Sequence, residues 1–281
     1  MLDGSRAMAT RVDVTIPEIL NGYDTLADIY SHVPPLIMWR AWELAAYRRH
    51  RLTGPVLDVG CGDGRFFRRA FPDLDDVVGV DHSEEVVALA RQSGLYRAVH
   101  LAPAHELPFE AGAFASAFAN CSLEHMDHLD RVLGELARVV RPGGGLLCSV
   151  VTDEFVQWAP LKLLLSSCGA AEVGRAAQDQ HEQYHHLVNA FPVPAWIARI
   201  EAMGFRVRTW TPIVSGAAGW LFLLLDQLWH VTSANGGIGD QFGAWLHAQP
   251  DRGPALRGVF EGLLTLGRDR PPAGLVVFAE R

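Results

Sequence analysis

The chain predicts an α/β fold: a Rossmann-like, doubly wound, mostly parallel sheet with helices on both faces and helical cap insertions. Three observations lead there. Short apolar runs alternate with helical stretches between Pro55 and Val151, and such alternation implies a parallel sheet covered on both sides. The first run, Val56-Leu57-Asp58-Val59-Gly60, ends in glycine, as a buried strand feeding a tight turn does. Finally, 281 residues at 49% apolar and 20% charged are an ordinary globular balance, long enough for a sizeable core and one or two domains.

Taken in order, residues 16–51 read as helical. Leu26, Ile29 and Tyr30 fall at helical spacing, Pro34-Pro35 makes a break, and Trp39, Trp42 and Ala46 line one stripe beyond it. Residues before Met8 are left out of the fold reasoning. Strands are expected at 55–60 and 77–80. A helix opens at Ser83-Glu84-Glu85, where a serine cap precedes acids in the first turn. Further strands are expected at 98–101 and 114–119. A helix over 129–140 is stopped by Arg141-Pro142-Gly143-Gly144-Gly145, and a strongly apolar strand covers 146–151. Later a helix at 195–203 leads through Gly204 into a strand at 205–210, and 274–279 supplies a last strand. The expected division is an N-terminal helical lid (1–53), a cofactor-binding core (54–152), a helical cap insertion (153–194) and a C-terminal part of the core (195–281). That last part carries an apolar helical insertion at about 215–272.

The charge balance, 24 Lys and Arg against 32 Asp and Glu for a net −8, comes without any long basic stretch. No nucleic-acid partner is expected. Cys61, Cys121, Cys148 and Cys168 form no CxxC pair, which suits a reducing cytoplasm. The first twenty residues lack a basic segment followed by an apolar one, so no secretory signal is expected.

The most informative stretch is Gly60-Cys61-Gly62-Asp63-Gly64-Arg65, between the first strand and a helix. Glycines at alternate positions let a ligand lie against bare backbone, and the helix start beyond offers unpaired N–H groups to an anion. A dinucleotide fingerprint would need a third glycine at position 65, which is Arg65, and a phosphate loop would need a lysine the loop lacks. Asp81 ends the second strand, 21 residues after Gly60, where a carboxylate can accept both hydroxyls of a ribose.

With these residues in order, the sequence resembles the class I S-adenosylmethionine-dependent methyltransferases, in their small-molecule branch. Asp58-Val59-Gly60-Cys61-Gly62-Asp63-Gly64 is similar to that family's first motif, and Gly79-Val80-Asp81-His82-Ser83 to its ribose-binding segment. The resemblance extends through Glu106-Leu107-Pro108-Phe109 and the strand at 114–120 to the Pro-Gly-Gly turn and fifth strand, covering about residues 54–152. It implies S-adenosylmethionine as cofactor. Gly60, Cys61, Gly62 and Gly64 would then meet the methionine moiety, with Asp58 supporting the loop. Asp81 would hold the ribose, His82 would pack on the adenine, and Ala104 and His105 would line the adenine edge. Asn120, Cys121 and Ser122 would lie beneath the sulfonium. Apart from the resemblance, Tyr23 and Tyr30 in the N-terminal helices are expected either to close over the cofactor as a lid or to serve ordinary helix packing. The sequence departs from the family at Pro103, where an adenine-binding aspartate is usual, and at Ala115.

For a hydroxyl acceptor the proton must be taken up, and histidine has a suitable pKa. His125 follows the fourth strand, and His185 and His186 sit in a segment that resembles a cap over the acceptor pocket. These three are the candidate bases, with Asp226 and His230, four apart, as a remote second choice. His181-Glu182-Gln183-Tyr184-His185 matches the HExxH zinc signature, but nothing in the sequence marks a third ligand and no metal is expected. Residues 209–225 carry no charge, short of the roughly 18–20 that span a bilayer. Burial of the segment around Trp220–Leu225 is favoured; homodimer contact, an apolar acceptor tunnel and membrane contact are the alternatives. The expected partner is a small, partly apolar methyl acceptor. A non-catalytic cofactor-binding or membrane-surface scaffold is the rival reading, and an NAD-dependent oxidoreductase a second.

Overall fold

The computed structural model describes residues 9–234, 236–249, 251–267 and 270–281; the segment set aside before Met8 lies outside the described residues. The chain opens with a two-residue strand β1 (Thr10–Arg11) and helix α1 (Ile16–Tyr30). Thr15 caps α1 in a reciprocal box with Glu18, whose carboxylate accepts from the Thr15 backbone N–H at 2.7 Å. Helix α2 (Pro34–Tyr47) follows. Pro34 and Pro35 are its first residues rather than a gap before it, because a first-turn proline loses no helical hydrogen bond.

Next come β2 (Val56–Val59), α3 (Arg65–Ala70), β3 (Val77–Asp81), α4 (Glu84–Gln92), β4 (Ala98–Leu101), β5 (Phe114–Asn120), α5 (Leu129–Val139) and β6 (Val140–Val151). Ser83 caps α4 as the sequence predicts, its side chain accepting from the Val86 N–H. One boundary differs. The glycine run after Arg141 does not separate helix from strand; it forms the first half of β6, with a register shift against β5. A Cβ on Gly144 would lie 2.6 Å from the Ala115 carbonyl oxygen, so a residue without a side chain lets the two backbones close up.

Helices α6 (Glu154–Gln157), α7 (Pro160–Ser167), α8 (Ala171–His185) and α9 (Val193–Ala202) precede β7 (Arg206–Ile213). After them come α10 (Gly216–Trp229), a two-residue ribbon β8 (Thr232–Ser233) with β9 (Gly236–Gly237), α11 (Ile238–His247), α12 (Arg252–Leu264) and β10 (Gly274–Glu280). The sheet order is β1-β7-β10-β6-β5-β2-β3-β4, parallel except for β10, which runs antiparallel to both neighbours. From β2 the chain moves outward to β3 and β4, then returns to β5 on the other side. Ligands in open α/β sheets bind at such a switch point, beyond the strand C-termini.

The uncharged stretch 209–225 is not one helix. Its first part is strand β7, and a turn at Val214 (φ +54°) redirects the chain into α10. No residue of α10 is exposed; it packs against α2, α7, α8, α11 and α12, which explains a helix apolar on nearly every side. Among the described residues no helix is long and apolar enough to cross a membrane. One apolar core gathers α1, α2, α3, α10 and α12, and the other joins α5 and α9 to the opposite sheet face.

Candidate active site: a groove and an adjoining chamber

The glycine loop leaves β2 with Gly60, Gly62 and Gly64 all at positive φ (+69°, +56° and +77°). Gly60 is needed twice over, since a Cβ there would also lie 2.7 Å from the Ser122 Cβ. A Cβ on Gly62 would meet nothing within 4 Å, so its backbone faces open space. Beneath the loop, buried Asp58 accepts from the Tyr96 hydroxyl at 2.7 Å, and the same hydroxyl reaches the Cys61 carbonyl at 3.2 Å. Burial pushes the Asp58 carboxyl up to about 7, and the Tyr96 hydrogen bond opposes the rise. Tyr96 carries no signal in the sequence; its hydroxyl stitches the loop to the strand from the far side.

Two cavities flank the loop. The smaller, about 120 Å³, is lined by Tyr30, Arg40, Asp58, Cys61, Gly62, Gly64 and Asn120. The larger, about 330 Å³, is lined by Asp81, His82, Ala104, His105, Cys121, Ser122 and His125, and Gly60 borders both. All of the residues named from the sequence for the cofactor therefore lie on this groove. Asp81 accepts from the Gly62 N–H at 3.4 Å and the Ser83 N–H at 3.1 Å, which locks its carboxylate at the groove edge. His82 is a rim residue, its side chain 86% exposed. Ser122 Oγ donates to the Val59 carbonyl, and Asn120 Oδ1 accepts from the Tyr47 hydroxyl at 2.8 Å. Tyr23 is a correction: it packs on Phe260, away from the groove.

Helix α2 contributes a buried polar cluster that the sequence reading missed. Glu43 is fully buried and accepts from Trp39 Nε1, Cys121 Sγ and Ser149 Oγ through one oxygen, and from Arg40 through the other. Four donors offset the cost of a buried carboxylate. Arg40 Nε remains without a partner, at the wall between the smaller cavity and a third one. Cys121 takes a left-handed backbone (φ +45°), strain that swings the chain across the end of β5.

That third cavity, about 250 Å³, lies between α2, α8 and α10. Trp39, Phe155, Leu187 and Phe222 supply apolar walls, and Glu124, His125, His185, Asp226 and His230 the polar ones. Cys121 and His125 border both this chamber and the larger cavity of the groove. Burial lowers the His125 pKa from 6.5, opposed by the backbone of His186 facing the ring, so the imidazole is neutral at pH 7. Glu124 is fully buried and both its carboxylate oxygens lack hydrogen-bond partners; burial pushes it up to about 8. Asp226 accepts from His181 at 2.7 Å and His185 at 3.0 Å. Burial works to raise its pKa, but those hydrogen bonds win and hold it well below the carboxylate range. Of the three candidate bases, His125 and His185 face the chamber. His186 does not: it ends α8 at φ +43° with its side chain exposed.

The glycine loop after β2 and the acid ending β3, on a doubly wound sheet with one antiparallel strand, β10, match the arrangement expected of a class I S-adenosylmethionine-dependent methyltransferase. Residues 57–148 match the family described as "Methyltransferase domain", and this stretch of the chain is a class I methyltransferase domain. The chain is 31% identical over 168 residues to the ubiquinone biosynthesis O-methyltransferase of Bordetella avium (strain 197N), covering 56% of this chain and 66% of that protein. It is 31% identical over 132 residues to the malonyl-[acyl-carrier protein] O-methyltransferase of Erwinia billingiae (strain Eb661), covering 43% and 50%. The chain thus spans half to just under two thirds of the length of these two curated relatives. A structure of geranyl diphosphate C-methyltransferase from Streptomyces coelicolor A3(2), with Mg2+, geranyl-S-thiolodiphosphate and S-adenosyl-L-homocysteine, superposes with a TM-score of 0.55. It covers 88% of this chain and 77% of that one at 14% identity, a likeness of fold.

Proposed function

We propose that the chain transfers a methyl group from S-adenosylmethionine to an oxygen or nitrogen of a small, partly apolar molecule held in the chamber between α2, α8 and α10. The observation that supports this reading is the shared wall: Cys121 and His125 border both the groove and the chamber. A molecule in each would meet there.

The groove suits the cofactor by its own chemistry. Gly62 presents bare backbone to open space, Asp81 offers a fixed carboxylate to vicinal hydroxyls, and the unpartnered Arg40 Nε suits a carboxylate at the opposite end. Tyr30 and Asn120 would flank that end, with Ala104 and His105 along the adenine edge. When bound, S-adenosylmethionine supplies a methyl group already activated on a sulfonium. The chain's residues then supply alignment, which can remove several kcal/mol of barrier when the reacting groups are held in line. Trp39, Phe155 and Phe222 would hold the acceptor and exclude water. His125, neutral at pH 7, would take the acceptor's proton at a ring nitrogen. Glu124, mostly protonated below pH 8, would donate a hydrogen bond to an acceptor oxygen.

In this reading the expected lid and caps contribute walls of the chamber through residues such as Leu36 and Trp39, Phe155 and Leu187, and Phe222 and Trp229. A cytoplasmic setting is supported by the four free cysteines. Calorimetry with S-adenosylhomocysteine and with NAD tests the cofactor: binding of the first and none of the second is expected, and the reverse would overturn the reading. Binding without transfer to any of a broad panel of phenols, amines and carboxylic acids would favour the scaffold alternative.

A further inference from the structure

The HExxH stretch falls on α8, where the four-residue spacing brings His181 and His185 to one face. The sequence offers no third ligand near them, but the fold does. Asp226 in α10 and His230 just after it are also four apart, and the two pairs face one another across the helix contact. One ligand atom from each of His181, His185, Asp226 and His230 lies within 4.8 Å of all the others. The two Nε2···Oδ2 contacts, of His181 and His185 with Asp226, are 2.7 and 3.0 Å. Donor atoms around a four-coordinate zinc ion sit about 3.3 Å apart, given metal–nitrogen distances near 2.0–2.1 Å, a value inside the spread of the cluster.

Two imidazoles reach the same oxygen, Asp226 Oδ2, and a third stands beside the other. Three histidines converging on one buried carboxylate are a ligand set for a borderline cation. The support around it is rigid: Phe155 stacks on His181 with rings 18° apart, and the Tyr184 ring lies 3.8 Å from that of His230. His230 Nδ1 donates to the Asp226 carbonyl at 2.8 Å, which leaves Nε2 as the nitrogen able to ligate. Glu182, which serves as the general base in an HExxH peptidase, is exposed and bonded to Gln178, so peptide hydrolysis is not the chemistry here.

We propose that His181, His185, Asp226 and His230 form a binding site for one divalent transition-metal ion of the zinc or iron(II) class, in the wall of the chamber. His185, Asp226 and His230 line the chamber while His181 stands behind them, 2% exposed. A cation here has protein on one side and the cavity on the other, so a fifth position, beyond the four protein ligands, would open toward an oxygen or nitrogen donor of the occupant. This last step rests on the reading of the chamber as the acceptor's. It narrows the acceptor class to molecules with a metal-ligating group, such as a phenol, catechol or carboxylate, beside an apolar body. Glu124, buried and without a hydrogen-bond partner, lines the same chamber and would meet the other side of such a molecule.

The test uses the tag-free full chain and the metal alone. Zn2+ titration against a competing chelator should give one site per chain, and Co2+ should give visible absorption bands of a nitrogen- and oxygen-ligated ion. Asp226→Asn and the half-buried His185→Ala should each weaken Zn2+ binding by at least about 100-fold, because each removes a direct ligand. Their thermal melts and S-adenosylhomocysteine affinity, read in parallel, should show the variants folded, with the groove intact. Wild-type protein that takes up no Zn2+ or Co2+, or folded variants that bind as tightly as wild type, would overturn the proposal. Loss of S-adenosylhomocysteine binding in a protein that still binds Zn2+ would sink the transferase reading and leave the metal site standing.

Discussion

The groove and the chamber share a wall but are built in opposite ways. From Asp58 to Ser122 the groove is largely backbone: glycines at positive φ, strand ends, and one acid anchored by two N–H groups. The chamber is made of side chains from α2, α8 and α10, the first of these more than a hundred residues from the other two in the chain. Backbone geometry tolerates few residue types, whereas a side-chain wall can be rebuilt for another ligand without disturbing the sheet. In the proposed reading, one half would hold the methyl donor and the other would select what is offered to it.

If this contrast holds, the largest effect comes from the backbone half. Gly60→Val adds a side chain against Ser122 at a φ it strongly disfavours, and should lower S-adenosylhomocysteine affinity more than about 100-fold by calorimetry. His125→Ala should cut kcat by about 100-fold while changing S-adenosylhomocysteine affinity by less than about threefold. Because burial depresses the His125 pKa, the acid limb of the wild-type pH–rate profile should have its midpoint below 6.5. A bell with no such limb would remove His125 as the base.

Asp81→Ala should weaken S-adenosylhomocysteine binding by about 1–3 kcal/mol, the scale of hydrogen bonds to a charged acceptor. Unchanged affinity would displace the ribose from this edge of the groove. The smallest effect concerns stability. Glu124 has its folded pKa raised from 4.5 to about 8, so between those values the folded state holds a proton that the unfolded chain has released. Stability should therefore fall as pH rises from about 4.5 to 8. Glu124→Gln should flatten that slope and raise stability at pH 8.5 by about 1–2 kcal/mol, measured by urea unfolding. An unaltered slope would mean that Glu124 is solvated in the free protein.

Sequence reading recovered the groove almost whole because its constraints are local. The spacing of Gly60, Gly62 and Gly64 and the position of Asp81 at a strand end are visible along a single stretch of chain. The same reading began the strand at 146–151 too late, since only the neighbouring β5 reveals why Gly144 must be bare. It ended the strand before 215–272 at Trp210, whereas β7 runs on to Ile213 and a left-handed turn at Val214 divides it from the helix. Arg40 and Glu43 passed unnoticed as an ordinary helical i, i+3 pair, although they anchor Trp39, Cys121 and Ser149 from three elements. Glu124 was passed over beside His125, because burial without a partner cannot be seen in one dimension.

The linear order of residues was enough for a sheet, a glycine cradle and a carboxylate at its edge, since each follows from steric and hydrogen-bonding rules acting over a few neighbours. The chamber required the fold. His181 and His185 meet Asp226 and His230 only because α8 and α10 pack side by side, with His185 and Asp226 41 positions apart in the chain. Helix packing is fixed by the shapes of whole apolar faces, a property spread over many residues and written in no single motif.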